Sequence, residues 1–233
     1  MKRMPRWHLL LFLMAIACTA GAGLAASPAF DALSSKDAAG GLRDALAKGI
    51  DLAVSQLGAE NGFLNDPKVT IPLPAALEKA QRGLKMVGMG AQGDQLKATL
   101  NHAAEAAVAQ AKPIFKQALQ HMSVADAKGI LSGGDGAATA YFRRATSTQL
   151  TAKFKPVVAG ATAKLGLAAK YDQYAGKAAQ LGLVSAQDAN LDDYVTAKAL
   201  DGLFSRIADE EHAIRKDPLG QASSLIRKVF GSL

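Results

Sequence analysis

The stretch "DQLKATLNHAAEAAVAQAKPIFKQALQHM", Asp94 to Met122, decides the fold class. Leu96, Leu100, Ala103, Ala107, Ala111, Ile114, Ala118 and Met122 recur at spacings of three and four. That is the period of one helix face, and the stripe runs for about eight turns at 3.6 residues each. Pro113 interrupts it, because its ring nitrogen cannot donate to the carbonyl of Ala109. The helix is therefore expected to kink or restart near Lys112.

Helical periodicity continues on both sides. Upstream, Leu42, Leu46, Ile50, Ala53 and Leu57 form an apolar stripe opposite Arg43, Lys48 and Asp51, which must pack on something. Between the two stripes lies "GAENGFLNDPKVTIPLP", Gly58 to Pro74, whose prolines and Asn-Gly and Asn-Asp turns exclude a continuous helix. It is expected to be an extended arm or short strand, with Val69, Ile71 and Leu73 on the side facing the bundle. Pro74 then suits the first turn of a helix carrying Leu77, Ala80, Leu84 and Val87, ended by "GMGAQG".

Downstream, Ser123 is placed to cap a short helix with Asp126 in its first turn. A long helical region follows from Ala137 to about Leu165, with a bend expected at Pro156. A small helix around Tyr171 and Tyr174 precedes the loop "LGLVSAQDAN". Asp192 opens the last long helix, on which Leu200, Phe204, Ile207 and Ile214 form the stripe. Pro218 and Gly220 stop it, and "SSLIRKVFGSL" closes the chain as a short amphipathic helix. Almost no segment alternates β-branched residues, and no fixed repeat is present. The expectation is all-α: a single multi-helix bundle with a short extended arm near the N-terminus.

The N-terminus points to the cell envelope. Lys2, Arg3 and Arg6 lead into an apolar block from Leu9 to Ala17 and then into small residues, the order of a bacterial secretory signal. The block falls short of the roughly 20 residues that span a bilayer. Residues 1–25 are thus expected to be a cleaved signal peptide, residues 26–35 a flexible segment and residues 36–233 the helical domain. "MAIAC" offers a rival cut at Cys18, with lipid attached to that cysteine. Cleavage after Ala25 removes three basic residues and no acid, so the net charge falls from +7 to +4. That balance gives little support to nucleic-acid binding. Cys18 is the one cysteine, so no disulfide supports the mature fold.

Several segments together resemble a family of bacterial envelope proteins catalogued as domain of unknown function 4197. They are "GLRDALAKG", "NGFLNDPKVTIPLP", "NHAAEAA", "MSVADAKGILSGGDGAATAYFRR", "FKPVV", "LDDYVTAKALDGLF" and "IADEEHAIRKDP", in this order and spread over nearly the whole mature chain. The resemblance implies a secreted helical domain with no assigned activity and no catalytic residues to carry over. The family pattern has an arginine where this chain has His102, which weighs against a metal role for that histidine.

The glycine-rich corner "ILSGGDGAATAYFRR", Ile130 to Arg144, is the first candidate site. It is not a P-loop, for it lacks the lysine and follows a helix, and Asp135 lacks the ligand train of a calcium loop. The favoured expectation is a helix stop at Gly133 and a cap by Asp135 on the next helix. The alternative is an anion site, with the N–H groups of Gly133, Gly134 and Gly136 turned toward a ligand and Arg143 or Arg144 nearby.

Glu211 is the second candidate, because a carboxylate on an apolar stripe must be paired or protonated if it is buried. Arg143, Arg144 and Arg82 are the expected partners. His102 with Glu105, and Asp209 with His212, each have the three-residue spacing that can offer two ligands to a metal; the favoured expectation is that both pairs are exposed charged faces. Tyr141, Phe142, Tyr171, Tyr174 and Tyr194 are expected either to line an apolar pocket or to pack in the core. No Gly-x-Ser-x-Gly elbow and no cysteine nucleophile remains.

The functional expectation is a non-enzymatic periplasmic module without a cofactor or metal. It would bind an envelope protein or a small apolar or anionic ligand in a cleft between the Gly133–Arg144 corner and the C-terminal helix. Two alternatives stand beside it. One is a metal-dependent hydrolase using Glu211 or Asp192 and Asp193; the other is an envelope scaffold held to the membrane by lipid at Cys18.

Overall fold

The Asp94–Met122 stripe folds as two helices, broken where Pro113 requires it. A computed structural model describes residues 35–86, 91–165 and 190–217. Helix α3, Ala91–Val108, ends in tight turns, and α4, Lys112–His121, begins with Pro113 in its first turn. There the missing N–H costs nothing, since the first turn of a helix has no carbonyl partner to offer.

Around this pair stand α1, Ser35–Leu57; α2, Ala75–Met86; α5, Val124–Ser132; α6, Ala137–Thr162; and α7, Leu191–Lys216. A short 3-10 turn, Ala163–Leu165, extends α6. The described residues contain no strand, so the bundle is all-helical. The segment expected to be a signal peptide, Cys18, the region of Tyr171 and Tyr174 and the closing segment after Asp217 lie outside the described residues. Among the described residues no helix is long and apolar enough to cross a membrane.

Helix α6 packs along both α7 and α3, and α1 lies along α7. The core between them is apolar and includes Leu42, Leu100, Phe154, Val195 and Leu203. Phe115 of α4 meets the edges of Phe142 of α6 and Phe204 of α7, with ring centroids 5.5 and 6.3 Å apart and near-perpendicular planes. Burying each such ring is worth about 1.5–3 kcal/mol. Edge-to-face pairing adds about 0.5–1.5 kcal/mol.

Residues 58–74 pass over α3 as turns followed by irregular chain, with Phe63, Val69, Ile71 and Leu73 buried. Two polar residues of α3 hold them. The buried Asn101 amide accepts from Ile71 N–H at 2.8 Å and donates to Ile71 C=O at 3.0 Å, pairing with that residue as a neighbouring strand would. Glu105, 5 % exposed, accepts from the N–H groups of Asn61 and Phe63 at 3.2 and 3.1 Å and faces His102 Nδ1 at 2.7 Å.

The junction from α4 to α5 is closed as the sequence suggests. Ser123 Oγ accepts from Asp126 N–H at 3.0 Å, and Asp126 accepts from Ser123 N–H at 3.1 Å, a reciprocal capping box. The Ser123 hydroxyl first, and its N–H second, hold the Asp126 carboxyl below the ordinary carboxylate range.

Candidate functional site

The corner between α5 and α6 is built by two glycines and by two side chains of α7. Gly133 caps the end of α5, and a side chain there would collide with Ala137 Cβ at 2.7 Å. Gly136 precedes α6 with φ of +89°, a left-handed conformation natural to glycine. Gly134 is exposed and has open space around its α-carbon.

Gly136 brings no side chain to cap α6, and Glu211 of α7 supplies the missing acceptor. Its Oε1 accepts from Ala138 N–H at 3.0 Å, and its Oε2 from Thr139 N–H at 2.9 Å and from the Thr139 hydroxyl at 2.8 Å. Arg215, one turn further along α7, donates to Oε1 from Nε at 3.1 Å and from Nη2 at 3.0 Å. The same guanidinium donates to the carbonyls of Ile130 and Gly133 at 2.9 and 3.1 Å. Glu211 is 4 % exposed, and the Arg215 side chain 14 %. One acid thus caps the start of α6 while its arginine caps the end of α5.

Three expectations change. The partner of Glu211 is Arg215, and not Arg143 or Arg144, because Arg215 stands four residues along the same helix, within reach of the same buried face. Arg143 instead pairs with Asp201 at 3.6 Å and lies 4.5 Å above the Phe204 ring. Arg144 pairs with Asp126 at 3.9 Å and approaches the Tyr141 ring; Arg82 is exposed on α2.

Asp135 does not cap α6. It sits before a left-handed glycine, and its carboxylate turns outward to His212 Nδ1 at 2.9 Å and Arg215 at 3.9 Å. Among the described residues, the corner and α7 meet through Glu211 and Arg215 in place of the expected ligand cleft. What remains beside Glu211 and Arg215 is a cavity of about 10 Å³, at the lower limit for one water. Glu211 itself occupies the place that an anion would take at the start of α6.

The remaining acids are also engaged. Asp209 accepts from Lys68 Nζ at 2.6 and 2.7 Å, and Asp192 accepts from the Thr162 hydroxyl. Asp193 pairs with Lys155 at 2.6 Å, and this contact holds the Lys155 ammonium above its ordinary range. No group of three or more metal-binding side chains occurs among the described residues. Glu211 accepts five hydrogen bonds from protein donors. A carboxylate has about four lone-pair directions, so none is left to take a substrate proton or ligate an ion. Tyr141 donates to Ala118 C=O at 2.9 Å, and burial pushes its phenol above the ordinary range.

The open surface lies one turn beyond the corner. Helices α6 and α7 run antiparallel, since contacts join Ala138 to Glu211, Arg143 to Phe204, Lys155 to Asp193 and Thr162 to Asp192. Between them is a groove of about 370 Å³, walled by Ser147 and Thr151 of α6 and by Thr196, Ala197 and Leu200 of α7. The Arg143–Asp201 pair stands at one end and Asp193 at the other. Sequence inspection singled out Arg143 but missed this groove, because Ser147, Thr151 and Thr196 read individually as ordinary helix-surface residues.

A family model described as a protein of unknown function (DUF4197) matches residues 32–231. No curated protein and no solved structure matches the chain.

Proposed function

Taking as premise that the chain belongs to the DUF4197 family of bacterial proteins of unknown function, we propose that it is a binding module of the cell envelope working through the α6–α7 groove. One observation carries the proposal. The corner's inner acid, Glu211, is closed into the fold, whereas the groove beside it stays open with polar side chains on both walls. Such a surface suits recognition, because a concave site with a few fixed polar groups on an apolar floor orients a ligand without chemistry. The basic start and apolar block of residues 1–17 support export, and the ligand is then a component of the periplasm or of a secreted partner.

Native mass spectrometry of the protein purified from its own envelope tests this. The expected result is an added ligand or partner mass that disappears when Ala197→Trp fills the groove. A monomer without added mass, or an adduct indifferent to Ala197→Trp, overturns the proposal.

A further inference from the structure

Charge is divided unevenly over the bundle. From Lys112 to Lys164, across α4, α5 and α6, the chain carries eight lysines and arginines against two acids; along α7, from Leu191 to Asp217, it carries four against seven. The balance is +6 for the first set and −3 for the second. Helices α4 and α5 both pack on α6, so the basic excess belongs to one contiguous layer. Residues 166–189 and 218–233 together hold four basic residues and two acids, and supply no excess of acid to cancel it.

Three of the eight cations pair with acids of other helices: Arg143 with Asp201 and Lys155 with Asp193 on α7, and Lys112 with Asp51 on α1. Lys116, Lys128, Arg144, Lys153 and Lys164 remain, all of them exposed. Arg144 reaches Asp126 only at 3.9 Å, and the four lysines have no ion pair among the described residues. An open groove of about 280 Å³ runs between α4 and α6, and no charged side chain lines it. Lys116 adjoins Gln117 of its α4 wall, and Lys153 continues the four-residue row of Ala145 and Gln149 on its α6 wall. The contact of Arg144 with Asp126 brings α5, and with it Lys128, alongside. The layer therefore presents cations from three helices with no free acid between them.

We infer that the layer of α4, α5 and α6 docks on an anionic phospholipid surface. A partner protein fits it less well, because protein interfaces are built around an apolar centre from which lysine is depleted. The large apolar side chains exposed among the described residues are Leu52, Met86 and Val124, and of these Val124 alone belongs to the layer. A bilayer asks for no such centre. Its mobile phosphates can each meet a flexible lysine, and every cation near the surface adds its own share of attraction. Export, which the start of the chain supports, brings the protein to such surfaces. The acids of α7 then favour the orientation in which that helix is turned from the headgroups. The inference does not rest on the α6–α7 groove.

The test is co-sedimentation with phosphatidylcholine vesicles, with and without phosphatidylglycerol. It uses exported protein carrying Cys18→Ser, which holds no lipid at that position. Binding is expected only where phosphatidylglycerol is present, and is expected to vanish as salt shortens the reach of each charge, to about 3 Å at 1 M. Lys116→Glu, Lys128→Glu and Lys153→Glu together are expected to weaken it roughly hundred-fold, about five-fold for each cation lost. Lys48→Glu, Lys198→Glu and Lys216→Glu together change the net charge equally on α1 and α7, and are expected to leave binding near the wild-type level. Both triple variants alter exposed side chains only, and thermal melts check that they fold. Binding to phosphatidylcholine alone, binding indifferent to salt, or equal losses in the two triple variants overturn the inference. Capture by poly-glutamate without binding to phosphatidylglycerol overturns the membrane assignment in favour of an acidic protein. Silence of both overturns the layer as a docking surface.

Discussion

Replacing Glu211 by alanine removes a carboxylate that serves two helices at once. The start of α6 loses the acceptor for Ala138 N–H, Thr139 N–H and the Thr139 hydroxyl. Loss of a cap costs about 0.5–2 kcal/mol. Arg215, 14 % exposed, loses its nearer counter-charge and keeps only Asp135 at 3.9 Å. Breaking a buried pair on one side costs about 3–5 kcal/mol. The guanidinium still donates to the carbonyls of Ile130 and Gly133, which keeps its loss at the low end. The combined expectation is about 4 kcal/mol, a large part of a total stability of about 5–15 kcal/mol. With a urea slope of about 1–3 kcal/mol per molar, the unfolding midpoint falls by about 1–4 M in circular dichroism.

The double variant Glu211→Leu with Arg215→Met removes both charges together. It is expected to cost about 2 kcal/mol less than the sum of its single variants. Amide exchange gives the local readout, with protection lost first at Ala138 and Thr139. A loss below 1 kcal/mol for Glu211→Ala, or additive single variants, would refute the reasoning that this pair locks the corner.

Two further outcomes follow from the same region. Gly136→Ala must adopt φ of +89° and is expected to cost about 1–2 kcal/mol. Gly134→Ala, with open space around it, is expected to be neutral or to add up to about 1 kcal/mol; thermal melts that rank the two alike would contradict the corner geometry. Ser123→Ala is expected to cost about 1 kcal/mol at pH 7, and the cost depends on pH. The Asp126 carboxyl is lowered chiefly by the Ser123 hydroxyl. Its contribution is complete above the unfolded value, about pH 4, and is lost as pH falls through the lower folded value. The gap between urea midpoints of wild type and Ser123→Ala should therefore narrow in strong acid to what the Asp126 N–H bond to Ser123 Oγ alone supplies, and an unchanged gap would reject the linkage.

The helices were legible because their stripes are long. The period across Leu96 to Met122 and the position of Pro113 give α3, α4 and the break between them. Glu211 was legible as an anomaly, being the acid on the stripe of Leu200, Phe204, Ile207 and Ile214. Its partner was not, because attention to distant arginines passed over Arg215, whose four-residue offset on the same helix was the available signal. Asp135 misled for a backbone reason: the capping residue type stood beside a glycine whose left-handed geometry moved the helix start by one residue. Asn101 and Glu105 went unrecognised as fasteners of residues 61–71. Their signal was the run of small residues around them, "NHAAEAAV", which marks a helix buried on most sides and makes any polar residue there structural. The groove was illegible because its hydroxyls acquire meaning only when α6 and α7 are set side by side.

The pairing of Asn101 with Ile71 also bears on how the chain avoids self-association. Val69, Ile71 and Leu73 have the alternation that recruits other chains edge to edge. In the folded protein the Asn101 amide occupies both main-chain groups of Ile71, and Pro72 and Pro74 lack the N–H groups that a ladder would need. Until the chain folds this segment is exposed, and the prolines act as gatekeepers before the amide of α3 seals it.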